Sequence, residues 1–318
     1  MYREDVMIKK GEDTKKVSLM SPKVDFVFKR IFGNPEMPEI LISFLNAVLG
    51  YIDNDRIVSV YILNPNIDKK SIDDKYSILD VRAKANDDTI IDIEIQIANN
   101  SDMVKRTVYY LSKLIEEQIF EGDDYTKLKK SITINVVNFI VVQNDRVHNA
   151  FLFKEIDTHQ VLTDVAQIHF LELPKLNTNG IMPNELLKDW LLFIENPEDK
   201  EVSMIAEQIP EIKKAYNQLN VLSHNKEERY LYEQRQKSLH EKVSSLNHAH
   251  RKGFNEGKLE GRGEEKKATL CRQISRKFQI TNEDIEIIHK CEDVSKLDEA
   301  LDEILFAESK EEVLIKLV

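Results

Sequence analysis

Between Thr89 and Ala98 every second residue is an isoleucine: Ile91, Ile93, Ile95 and Ile97. A two-residue period sends side chains to alternate faces of a strand, so these four share one face. Asp92, Glu94 and Gln96 then share the other. The run before it, YSILDVRAKA, alternates in the same way, with Leu79, Val81 and Ala83 set against Asp80, Arg82 and Lys84. Between the two lies Asn86-Asp87-Asp88, a turn composition. If these three residues are the loop of a hairpin, Ala85 pairs with Thr89 and counting back sets Asp80 directly opposite Glu94. Opposed residues of an antiparallel pair point to one face with Cβ atoms about 5 Å apart. A loop longer or shorter by one residue would send them to opposite faces.

The rest of the chain alternates between the two periodicities. A first helix is expected from Pro22, with Val24, Val27, Phe28 and Ile31 on its apolar face and Gly33 past its end. A second spans about 36–49 and stops at Gly50. IVSVYIL, ending at Leu63, reads as a further strand. A helix from about 102 to 120, capped by Ser101 or Asp102, has Val104, Val108, Leu111, Ile115 and Ile119 as its expected buried stripe. SITINVVNFIVV, residues 131–142, looks like a central strand, and two more are expected near 150–156 and 166–173. After Pro174 the pattern is helical, with amphipathic segments near 183–195, 199–207, 210–222 and 225–250. The expected organisation is a polar arm at 1–20, an α/β core at 21–175, a helical extension at 176–262 and a small helical bundle at 263–318. In the bundle, Thr281 or Asn282 is the expected cap of one helix and Ser295 of another.

Composition narrows the classes. With 318 residues, 42% of them hydrophobic, the chain can bury one sizeable core and a smaller annex. No run approaches the roughly 18–20 apolar residues of a membrane span, and the charged start MYREDVMIKK lacks an apolar signal segment. Cys271 and Cys291 fit no metal-ligand spacing and read as incidental thiols. A cytoplasmic protein is expected. The net charge of −11 argues against indiscriminate nucleic-acid binding. Much of that excess sits beyond residue 281, whereas residues 15–30 hold five lysines and arginines against Asp25. P-loop, dinucleotide-fingerprint and paired-cysteine motifs are absent from the sequence.

The chemistry lies on the hairpin. Two facing carboxylates repel one another unless a cation sits between them. Mg²⁺ takes hard oxygen ligands and is usually held by one or two carboxylates plus substrate phosphate; Mn²⁺ or another divalent ion would also serve. The Ile95 carbonyl is a candidate further ligand, and Gln96 shares Glu94's face, where it could orient a water or hold a phosphate oxygen. The same alternation also suits a solvated sheet face on which Arg82 simply pairs with Asp92 across the strands.

Five segments decide which reading to pursue: SPKVDFVFKRIFG, ILISFLNAVLG, ILDVRAKANDDTIIDIEIQ, RTVYYLSKLIEEQIFEGDDYTKLKKSITINVVNF and LYEQRQKSLHEKVSSLNHAHRKGFNEGKLEGR. In this order they resemble the bacterial recombination-promoting nuclease family, also described as transposases, within the PD-(D/E)XK superfamily. The first four cover residues 21–139 almost without a gap, and the last lies at 231–262. The resemblance implies a restriction-endonuclease-like core, a mixed sheet flanked by helices, followed by an all-helical C-terminal extension. It also implies metal-dependent DNA endonuclease activity. It makes Asp80 and Glu94 metal ligands and sets Gln96 where the wider superfamily has lysine. Recombination, transposition or defence against foreign DNA follows from it too.

Two helix pairs fall inside these segments. Asp25 and Lys29 are four residues apart on the first helix, and Arg106 and Tyr110 four apart on the helix after the hairpin. The first pair is expected near metal and phosphate, the second against a phosphate backbone; both also suit ordinary helix surface. Gly253, Gly257 and Gly261 form a stripe that suits close helix–helix approach in a homo-oligomer or a loose charged linker. DNA is the expected partner, and a membrane is not. Two rivals are a binding module of the same fold with a weakened site and a self-associating interaction protein.

Overall fold

A computed structural model describes residues 18–63, 66–67, 77–78, 80–98, 102–178 and 180–317. The expected arm at 1–20 lies almost wholly outside the described residues. The N-terminal part begins with α1 (Asp25–Phe32) and α2 (Pro38–Leu49), followed by β1 (Val60–Ile62), β2 (Asn66–Ile67), β3 (Ser77–Ile78), β4 (Val81–Ala85) and β5 (Ile90–Gln96). Then come α3 (Met103–Glu116), β6 (Ser131–Val137), β7 (His148–Lys154) and β8 (Val161–Glu172). Beyond β8 every regular element among the described residues is helical: α4 (Glu185–Glu195), α5 (Lys200–Gln208), α6 (Pro210–His224) and α7 (Lys226–Lys277), then α8 (Asn282–Lys290), α9 (Val294–Glu303) and α10 (Lys310–Leu314).

Six strands form one mixed sheet in the order β1-β4-β5-β6-β8-β7, and β2 pairs with β3 apart from it. β4 and β5 are antiparallel, β5, β6 and β8 run parallel, and β7 returns antiparallel along β8. The hairpin has the register expected from the loop. Val81 pairs with Ile93 and Arg82 with Asp92, and Ala85 N–H donates to the Thr89 carbonyl at 2.9 Å. Asp88 N–H donates to the Ala85 carbonyl at 3.0 Å, and Asp88 sits in the left-handed region at φ 68°. This is a three-residue loop made of a type I turn closed by one left-handed residue. Aspartate tolerates that conformation better than most side chains.

The isoleucine face of the sheet backs onto α1. Gly33, just past that helix, lies so close to Val81 that an added Cβ would stand 3.5 Å from its side chain. Phe28, Phe32, Phe44 and Trp190 are fully buried and bring α1, α2 and α4 together, with ring centroids of Phe32 and Trp190 5.5 Å apart. Trp190 Nε1 donates to Ser43 Oγ at 3.2 Å, and Asn184, the N-cap of α4, donates to the Ala47 carbonyl at 2.9 Å. The described residues fall into two compact units that divide between residues 238 and 239. The first therefore runs past the boundary expected at 175, because α4 and α6 carry apolar faces that complete the core around α1 and α2. The second unit packs Leu270, Ile274, Ile288, Leu297, Ala300 and Val313 into a core of its own.

Several local expectations are corrected. α1 begins at Asp25, since Pro22 lies in a turn before it. β6 ends at Val137 rather than 142, because the Val141 and Val142 N–H groups donate to the Glu172 carboxylate, at 2.8 and 3.3 Å, instead of to a neighbouring strand. The N-cap of α9 is Asp293, whose side chain accepts from the Ser295 N–H, so Ser295 is not the cap. The glycine stripe at Gly253, Gly257 and Gly261 lies within helix α7, not in a linker.

The largest correction concerns α3. Its buried residues are Met103, Thr107, Leu111 and Leu114, while Val104 and Val108 are 52% and 48% exposed. The sheet face beneath α3 carries Asp92, Glu94, Thr133 and Asn135, and the helix covers it with a mixed face on which Thr107 sits among Met103, Leu111 and Leu114. Thr107 Oγ1 donates to Asn135 Oδ1 at 3.0 Å, and Leu114 packs against Ile90. Of the expected stripe only Leu111 is buried; the buried face is turned toward Met103, Thr107 and Leu114, which brings Thr107 to Asn135.

Candidate active site

Extending the hairpin register by one pair beyond β4 brings Asp80 opposite Glu94. There Asp80 replaces a ladder bond: its Oδ2 accepts the Ile95 N–H at 2.8 Å. The N–H and C=O of one strand residue face the same edge, so the Ile95 carbonyl also faces the edge where Asp80 stands.

This face is dry. Asp92 is 1% exposed and Glu94 8%, which removes the reading of a solvated sheet surface. Arg82 does not neutralise Asp92 by a hydrogen bond either; its guanidinium pairs with Glu117 at 2.6 Å. Both Asp92 carboxylate oxygens and Glu94 Oε1 are buried without a hydrogen-bond partner. Burial pushes the Glu94 carboxyl up to about 8, with repulsion from Asp80 adding to it and Arg106 opposing it. Burial likewise raises Asp80 to about 6, its hydrogen bond from Ile95 opposes this, and Asp25 raises it further. Asp92 is also pushed well up, by burial first and then by Glu94 and Asp80. Three carboxyl groups thus share a water-poor space in which the nearby Arg82 and Arg106 do not offset the effect of burial.

Arg106 reaches into that space from α3. Its Nη2 lies 2.8 Å from Gln96 Oε1 and 3.4 Å from Glu94 Oε2. The guanidinium stands 5.8 Å from the Tyr110 ring centroid, and Tyr110 in turn packs against Leu114. Asp25 and Lys29 act on Asp80 from α1 with opposite sign, and Asp25 Oδ2 is 3.8 Å from an Arg235 nitrogen. The structure therefore brings Asp80, Glu94, Gln96 and Arg106 together, with Asp25 and Lys29 close enough to shift the Asp80 carboxyl. Tyr110 stands beside Arg106. Sequence reasoning passed over Asp92, although its place two residues before Glu94 on the same face was a signal.

No group of three or more His, Cys, Asp or Glu side chains arranged to hold a metal occurs among the described residues. A cation here would rest on Asp80, Glu94 and the Ile95 carbonyl. That all-oxygen set suits Mg²⁺, which keeps several waters of its own. The unpartnered Glu94 oxygen and the raised Asp80 and Glu94 carboxyls fit such an occupant, because a divalent charge removes the repulsion that raises them.

A mixed six-stranded sheet between helices, with acidic residues on its central hairpin, defines a restriction-endonuclease-like fold of the PD-(D/E)XK class. The family model for PD-(D/E)XK nuclease family transposases matches residues 22–249, and the chain belongs to that family. Comparison with curated proteins and with solved structures finds no match.

Proposed function

We propose that this protein is a divalent-metal-dependent DNA endonuclease. Membership of a nuclease family supports hydrolysis of nucleic acid, and the hairpin register that opposes Asp80 to Glu94 carries the rest. Asp80, Glu94 and the Ile95 carbonyl hold the cation in this reading. A bound Mg²⁺ or Mn²⁺ would stabilise charge on the phosphodiester and make water a better nucleophile. Hydrolysis joins the water oxygen to phosphorus, breaks one P–O ester bond and leaves the departing oxygen protonated. Arg106 meets the phosphate from α3, Lys29 flanks it from α1, and Asp25 keeps Asp80 company on the metal side. Tyr110 supports Arg106. The closed, water-poor floor around Asp92 strengthens each of these interactions.

Recombination, transposition or defence, in the cytoplasm, is the setting in this reading, and the family's description as transposases supports the second. No helix among the described residues is long and apolar enough to cross a membrane. Self-association through α7 is part of the proposal. Gly253, Gly257 and Gly261 have nothing within 4 Å of an added Cβ, so that stripe is open to a second helix. Light scattering on the full chain is expected to give a mass above that of one copy.

One feature favours a second reading, a DNA-binding module with a weakened site: Gln96 cannot supply the ammonium charge of a lysine. Supercoiled plasmid with Mg²⁺ or Mn²⁺ separates the two. The wild type is expected to nick it, and Asp80→Ala and Glu94→Ala to lose at least 100-fold in rate, on the order of the effect of a catalytic metal ligand. Equal cleavage by all three proteins would sink the site assignment, and binding without cleavage would favour the second reading.

A further inference from the structure

Gln96 is the last residue of β5 and shares a face with Glu94. An amide side chain has one end that donates and one that accepts, and here the protein engages both. Nε2 donates to the Ala98 carbonyl at 3.0 Å, and Oε1 accepts from Arg106 Nη2 at 2.8 Å. The orientation is forced, because a carbonyl can only accept and a guanidinium can only donate. On the other side, Arg106 is long, and a free arginine on a helix surface would sample many rotamers. Gln96 anchors its tip between the sheet and Glu94, 3.4 Å away, while Met103 Sδ and the Tyr110 ring border the side chain at 3.4 and 5.8 Å. The guanidinium has five N–H donors in a fixed fork, so the bond to Gln96 leaves others for a phosphate.

We infer that Gln96 acts through Arg106: it is a positioning residue that presents the guanidinium to the phosphate, and Arg106 is the residue that touches substrate. This rests on the nuclease reading for its substrate, and it replaces the expectation that Gln96 itself orients a water. The positive charge at this end of the hairpin then comes from α3, ten residues further along the chain.

The test is a double-mutant cycle on the full chain, Gln96→Leu, Arg106→Gln and the two combined. Binding to a short DNA duplex is measured first, in chelator, across a range of salt. A lost phosphate contact lowers the slope of log affinity against log salt by about 0.9. Arg106→Gln is expected to lower it by that amount and Gln96→Leu by most of it, with the double variant matching Arg106→Gln alone. Cleavage rates with Mn²⁺ are expected to follow the same pattern, the second substitution adding less than 2-fold to the first. If Gln96→Leu is poorly folded by circular dichroism, Gln96→Asn, one methylene too short to reach Arg106, serves in its place.

Effects of the two substitutions that multiply would overturn the inference, as would a wild-type salt slope in the Gln96 variant or a wild type that binds no duplex. The salt slopes need no cleavage. A wild type that binds but does not cut therefore counts against the nuclease reading alone, and the slopes still decide the role of Gln96.

Discussion

Asp80 shows how much one residue's surroundings matter. A carboxylate at a strand end usually meets water, yet here burial and Asp25 raise it to about 6. Its partner Glu94 is raised to about 8 by burial and by Asp80 itself. Such a pair is a stability cost that an oxygen-binding cation would offset. Mg²⁺ or Mn²⁺ is therefore expected to raise the melting temperature of the wild type, with about 2.7 kcal/mol gained at a hundred times the dissociation constant. Asp80→Asn is expected to abolish that metal-dependent rise while melting no lower than wild type in chelator, as scanning calorimetry would read it. A full metal-dependent rise in the variant would remove Asp80 from the ligand set. The alternation of residues 89–98 placed Glu94 and Gln96 on one face. It could not say whether that face was wet, since burial depends on α3 being laid across it.

At the scale of elements, the hairpin loop and α3 behave differently. The loop was legible because a local rule governs it: Asn86-Asp87-Asp88 forms the turn, and the turn length sets which residues face each other. Asp88 holds a φ of 68° and pairs with Lys84 at 2.7 Å on an exposed surface, where solvent screens the pair. Asp88→Gly is expected to leave stability within about 1 kcal/mol of wild type, and Asp88→Val to cost about 1–2 kcal/mol from left-handed strain alone. Denaturant unfolding checks both, and a harmless valine would mean that the turn is not shaped this way. The orientation of α3 was not legible. Its valine and isoleucine spacing suggested one buried stripe, and the buried face is turned away from it, which carries Thr107 inward and Arg106 to the carboxylates.

Across the whole molecule the question is where one unit ends. A change of composition after Pro174 suggested a helical annex, but α4 supplies Trp190, fully buried among Phe32, Phe44 and Phe193. Trp190→Ala is expected to cost about 3–5 kcal/mol, as for a buried aromatic in a shared core. Because α1 and β5 belong to that core, nicking activity should fall at temperatures where the variant begins to unfold. A loss below 1 kcal/mol by denaturant titration would restore the annex. By itself the sequence determined the strand periodicity, the hairpin turn and hence the opposition of Asp80 to Glu94, since all of these follow from neighbours a few residues apart. Only the tertiary structure decided that the acidic face is dry, that α3 turns Arg106 toward it, and that α4 closes the core. Each of those depends on which surfaces of distant segments are complementary, and no local period encodes that.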